Sequence, residues 1–176
     1  MSEAMTPEQA AFLLNIFLPA VRKESLVTKR VLAAVPADKC KYRPAADSRS
    51  AFELAWHIAS VDIWFLDGFL KGSFEMDDDD SIPADFNDSD DVVAWYDENF
   101  LPKLDEVARL GPDFWATPLP FFGIYNFPAV MYLQFMLSHT IHHRGQLTAY
   151  LRPMGAKVPN IYGGSFDEPM EMPPNS

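Results

Sequence analysis

Two capping boxes fix where long helices must begin in this chain. In Thr6-Pro7-Glu8-Gln9 the threonine side chain can take the Gln9 amide while the Gln9 side chain reaches back to Thr6. Pro7 suits the first helical position, where no backbone N–H is needed. Ser50-Ala51-Phe52-Glu53 repeats the device. Behind the first box, Phe12, Leu13, Ile16, Phe17 and Ala20 recur with a helical period. Pro19 removes one donor from this run, so the pattern predicts a kinked helix that resumes through Leu26, Val27 and Val31 and stops before Pro36. Behind the second box, Leu54, Ile58, Val61 and Phe65 share one face of a helix reaching about Lys71, with Gly72 as its stop.

A third helix follows an acidic stretch. Asp88, Asp90 and Asp91 suit the positive end of a helix that carries Val92, Val93, Trp95, Tyr96, Phe100, Leu104 and Val107 and ends at Gly111-Pro112. Residues 112–127 hold three prolines and one glycine and predict irregular structure, with their aromatic side chains in ordinary core and loop packing. The fourth helix starts near Asn126 to Pro128 and runs to Leu151, stopped by Pro153. Its predicted inward stripe is Tyr132, Met136, His139, His143, Gln146, Leu147 and Tyr150. Gly145 in its middle costs about 1 kcal/mol against alanine and predicts close approach of another helix. From Pro153 the chain reads as an ordered coil across one end, with a core over 7–165 and a tail, 166–176, that frays. Strand signals are poor throughout. The whole predicts one domain over 1–176, an all-α four-helix bundle of the up-down type with a C-terminal coil packed over one end.

Composition narrows the partners. The chain of 176 residues is 48% hydrophobic and has 14 phenylalanines, enough for a large-ringed core. Its net charge is 14 − 25 = −11. That balance argues against nucleic-acid binding, which needs clustered Lys and Arg, and against an anionic membrane surface. Cys40 is the single cysteine, so no intrachain disulfide forms, which fits a reducing cytoplasm. Cys40 itself reads as a bystander thiol, although Lys39 and Lys41 flank it. No signal peptide and no transmembrane run is expected. The acids of 75–91 read as a solvated loop, because four successive Asp lack the alternating ligand spacing of a calcium loop.

The histidines carry the chemistry. His139 and His143 lie four apart and so project from one helical face, about 5–6 Å apart at Cβ. His57 shares the apolar side of its own helix and can supply a third nitrogen. Buried imidazoles need partners, and one shared cation would satisfy them together. Three neutral histidines with no fixed fourth protein ligand describe an open metal site. His142 and Arg144 fall off that stripe, Arg144 to pair with an acid or a partner subunit, whereas Gln146 lies near the site and could orient a ligand.

The stretch His139-Thr140-Ile141-His142-His143-Arg144-Gly145-Gln146-Leu147, followed by Leu151-Arg152-Pro153-Met154-Gly155 and Val158-Pro159-Asn160-Ile161-Tyr162-Gly163, resembles the C-terminal signature of the DinB/YfiT-like family of metalloenzymes. Leu54-Ala55-Trp56-His57-Ile58-Ala59 resembles that family's first histidine motif, and the likeness spans about residues 10 to 165. The resemblance implies a four-helix bundle holding a divalent metal ion through His57, His139 and His143, in a homodimer. Zinc or nickel leads the choice of metal, with iron, manganese or copper also compatible. The family includes enzymes that use low-molecular-weight thiols, so the resemblance implies a small-molecule substrate and a metal-activated thiolate attacking an electrophile. Metal-dependent hydrolysis and a non-catalytic metal-binding or dimeric interaction protein are the other readings. No Glu or Asp lies beside the histidines in sequence, so no general base is assigned.

Overall fold

Helix ends lie where the caps place them. The computed structural model describes residues 4–76 and 80–170. Helix α1 spans Pro7–Leu32, opened by the reciprocal Thr6 and Gln9 bonds, and passes unbroken through Pro19. Helix α2 spans Ala51–Lys71 between the Ser50–Glu53 capping box and Gly72, whose φ of 75° gives the left-handed stop that glycine adopts without strain. Helix α3 spans Ser89–Val107 and is capped by Asp88, which accepts the Asp90 N–H at 2.9 Å.

The segment predicted to be irregular is ordered. A short helix α4, Pro112–Ala116, leads into a two-stranded antiparallel hairpin, β1 Pro118–Phe121 and β2 Tyr125–Pro128. Prolines hide it from sequence reading: Pro118, Pro120 and Pro128 sit in the strands, tolerated because both strands of a two-stranded sheet are edges. Helix α5, Ala129–Leu151, follows directly.

Neighbours around the bundle run α1, α3, α2, α5, since α1 and α2 each pack against both α3 and α5. Sequential helices α1 and α2 are therefore diagonal, which explains the long connection through Cys40 and Arg49. The hairpin is tied to the end of α2 through Phe74, whose N–H donates to Pro120 O at 3.2 Å and whose carbonyl accepts the Phe122 N–H at 3.1 Å. Gly68 makes this possible, because a Cβ there would lie 2.4 Å from the Phe74 ring.

Two expectations on α5 are corrected. Its buried stripe keeps the predicted Tyr132, Met136 and Leu147 but takes Thr140, Arg144 and Leu151, each one residue after the predicted His139, His143 and Tyr150. His139 and His143 sit half-buried beside it, and Gln146 is exposed. Gly145 is exposed as well, with nothing near its Cβ position, so no helix packs closely there. Cys40 is buried and its thiol pKa is raised by that burial, as suits a bystander.

The tail also differs from expectation. Asp167 accepts the Val158 N–H at 2.8 Å, and Glu168 accepts the Asn160 N–H at 2.9 Å while pairing with Arg30. The chain is thus held beyond residue 165. Residues 1–3, 171–176 and Asp77 to Asp79 of the acidic loop lie outside the described residues. No helix among the described residues is long and apolar enough to cross a membrane.

Candidate metal centre

His57 projects from α2 and His139 and His143 from adjacent turns of α5, and the packing of α2 on α5 brings the three rings together. Their centroids lie 5.0 Å (His57–His139), 4.7 Å (His57–His143) and 4.4 Å (His139–His143) apart. One ring nitrogen from each falls within 4.8 Å of the others. The Nε2 atoms of His57 and His139 face each other at 3.1 Å. Two nitrogens each ~2.05 Å from a shared cation would be ~2.9 Å apart at a right angle and ~3.3 Å apart at the tetrahedral angle, so this pair already matches a metal's bite.

Hydrogen bonds set which nitrogen is free. Asp80 Oδ2 lies 3.1 Å from His57 Nδ1, so the carboxylate accepts that proton and leaves the Nε2 lone pair open toward His139. Gln146 Oε1 does the same for His143 Nδ1 at 2.8 Å. Gln146 Nε2 in turn meets His142 Nε2 at 3.1 Å on the exposed side. His139 Nδ1 is buried with no hydrogen-bond partner. Burial lowers the pKa of all three imidazoles, His139 to about 3, with the neighbouring histidines adding to it there. They are neutral, as metal ligands must be.

Asp80 was read with the solvated acidic loop, and the structure corrects this. It sits between Arg49, with which it forms an ion pair, and His57. It lies 23 residues from His57 along the chain, so no helical spacing could reveal it. Thr140 and Asp62 were also missed, and Arg144 was misplaced. Asp62 on α2 is 1% exposed and accepts hydrogen bonds from Thr140 Oγ1 and from Tyr96 OH, the latter at 2.7 Å. Burial raises its pKa to about 7. Arg144 is 1% exposed and pairs with Glu24 at 2.6 Å, with Thr28 Oγ1 and Tyr162 OH as further acceptors. Its partner is thus an acid of the same chain. A lone Asp within the apolar face of α2 was the one signal available for this network.

A cavity of about 470 Å³ opens beside the histidines, within the range of small-molecule sites. His57 and His139 line it, with Arg49, Asp80 and Ser60 as its other polar members. Phe121 and Phe122 of the hairpin complete its wall, so the aromatic residues of 112–127 do more than pack the core.

Comparisons with known proteins bear on the family and the fold. The DinB family model matches residues 9–174. A DinB-like protein from Bacillus cereus ATCC 10987 superposes with a TM-score of 0.69 at 25% identity, over 83% of this chain and 95% of that one. A DinB-like protein of Bacillus subtilis, YjoA, shares the fold with a TM-score of 0.66 at 21% identity, over 82% of this chain and 96% of its own. The uncharacterised protein YrdA of Bacillus subtilis (strain 168) is 47% identical over 36 residues, 20% of this chain, and the match spans only 22% of YrdA.

Proposed function

The chain belongs to the DinB family, and we propose that it is an enzyme that holds one divalent cation through His57, His139 and His143 and uses it to activate a low-molecular-weight thiol. The observation that carries this reading is the convergence of three neutral imidazoles, two with their free nitrogen fixed by Asp80 and Gln146, beside a cavity that His57 and His139 line. A cation held there supplies Lewis acidity that favours the thiolate form of a bound thiol.

The protein's own part is positional. Asp80 and Gln146 hold imidazole tautomers, and the aromatic wall excludes water from the reacting atoms. In the proposed transfer the thiol proton leaves to solvent, a sulfur–carbon bond forms, and the bond from that carbon to its leaving group breaks with its electron pair. Among the described residues lining the cavity the sole carboxylate is Asp80, already engaged by Arg49 and His57. No carboxylate among those described residues is free to act as a general base toward water, which supports a thiol as the nucleophile. Zinc and nickel suit the donor set.

Elemental analysis of the wild type and of His57→Ala and His143→Ala, each after zinc and nickel loading, tests the site. One metal per chain, lost in both variants, is expected. The thiol is tested by adding 2-mercaptoethanol or cysteine to cobalt-substituted protein. A changed cobalt spectrum is expected, and indifference to both thiols removes the transferase reading while leaving the metal.

A further inference from the structure

The cavity's remaining wall says what shape of molecule it takes. Its apolar members are Val61, Trp64, Phe65, Met76, Phe121 and Phe122, and its polar groups are confined to the histidines, Ser60 and the Arg49–Asp80 pair. A cavity of about 150 Å³ already admits benzene. The present one, about 470 Å³, has room for a larger ring system.

The hairpin turn carries the second observation. Phe122 and Gly123 have φ of 53° and 68°, and Ile124 N–H closes the turn on Phe121 O at 2.9 Å. Two central residues at positive φ make a type I′ turn, which favours Asn-Gly. Phe122 is the one non-glycine residue at positive φ among the described residues. A bulky side chain is strained there, and such strain gathers at functional sites. What the strain secures is the place of one ring. Phe122 lies 5.5 Å from Trp64 at 32° and 4.4 Å from Phe121, and both of these neighbours are themselves cavity wall. The ring is half-buried and is not part of the buried core.

We infer that the cavity is a slot for a flat aromatic ring, and that Phe122, held by its strained turn against Trp64, is the residue that determines specificity for it. The slot itself does not depend on a metal. Only the approach of the ring's reacting substituent to His57 and His139 rests on the function proposed above.

The probe is 2-naphthol, titrated by calorimetry into metal-free and zinc-loaded protein, with Phe122→Asn and Val61→Trp beside the wild type. Saturable one-site binding to the metal-free wild type is expected, abolished when Val61→Trp fills the slot. Phe122→Asn puts the residue preferred by the turn at the strained position. It should keep or raise the thermal midpoint and retain metal, yet weaken 2-naphthol by about three- to tenfold, the worth of one lost aromatic pair. No saturable binding to the wild type overturns the slot. Undiminished binding to Phe122→Asn, or a lowered midpoint in that variant, overturns the role of Phe122. Failure of the wild type to take up zinc defeats the metal reading alone, since the metal-free titration stands without it.

Discussion

Asp62 should make this fold lose stability as pH rises from acid to neutral, the reverse of the usual behaviour of a carboxylate. Burial without a directly contacting cation raises its pKa from the ordinary 3.8 to about 7, although Thr140 and Tyr96 donate to it. The folded state therefore keeps this proton where the unfolded chain has released it. The stabilisation is fully present below pH 3.8 and is lost as pH climbs through 7. Three pH units at about 1.4 kcal/mol each make this about 4 kcal/mol in all, of which about 2 kcal/mol falls between pH 5 and 7. Asp62→Asn removes the titration and can keep the network satisfied. Thr140 Oγ1 already lies 2.8 Å from Met136 O and can turn its hydrogen there while accepting from the new amide. Urea unfolding of metal-free wild type and variant at pH 5, 6, 7 and 8 reads the effect. The histidines titrate identically in both proteins and cancel in the difference. The variant should gain on the wild type by about 2 kcal/mol from pH 5 to 7 and then level off. A difference independent of pH would show that Asp62 is already ionised in the fold at pH 5, held so by Arg144, and would refute the reasoning.

Three other substitutions address different parts of the molecule. Asp80→Ala should weaken zinc binding about 10- to 100-fold in competition with a chromophoric chelator, with helical circular dichroism unchanged, because it removes the acceptor that fixes the His57 tautomer. Arg144→Met strands the Glu24 carboxylate, only 13% exposed, and should cost about 3–5 kcal/mol in urea unfolding, part of it recovered when Glu24→Gln is added. Gly68→Ala places a Cβ 2.4 Å from the buried Phe74 ring and should cost about 1–3 kcal/mol by the same assay; an unchanged midpoint would mean that Phe74 can move aside freely.

Local rules carried the sequence reading as far as local physics reaches. Helix starts were legible at Thr6 and Ser50 because a cap is a contact between residues three apart. His139 and His143 were legible as a pair for the same kind of reason. The hairpin escaped because its strands are four residues long, contain proline, and turn through a phenylalanine where the turn prefers asparagine. Asp80 escaped because nothing but tertiary folding joins it to His57. Arg144 was misplaced by a specific error: the inward stripe of α5 was centred on the histidines, whereas they lie at its edge and the arginine lies inside.

That error points to how the α5 motif works. Successive helical residues are separated by about 100°, so Thr140 and Arg144, each one residue after a histidine, form a stripe next to that of the histidines. His139 of the first stripe lines the cavity, and the second stripe is buried in the bundle. The inward stripe bonds to Asp62 on α2, to Glu24 and Thr28 on α1 and to Tyr162 of the tail, while Asp62 also holds Tyr96 on α3. Every long helix is thus tied to the roll of α5. Roll matters because a turn of ~10° moves a side-chain tip by ~1 Å at helix radius, about half a metal–nitrogen bond. The Asp62–Thr140 bond joins the same two helices as the His57–His139 pair, so whatever loosens it changes the spacing of the nitrogens before it unfolds the bundle. Arg144→Met should accordingly weaken zinc binding under conditions where the protein is still fully folded. Unchanged zinc affinity in that folded variant would mean that α5 keeps its roll through apolar packing alone, and that the inward stripe contributes stability without positioning the site.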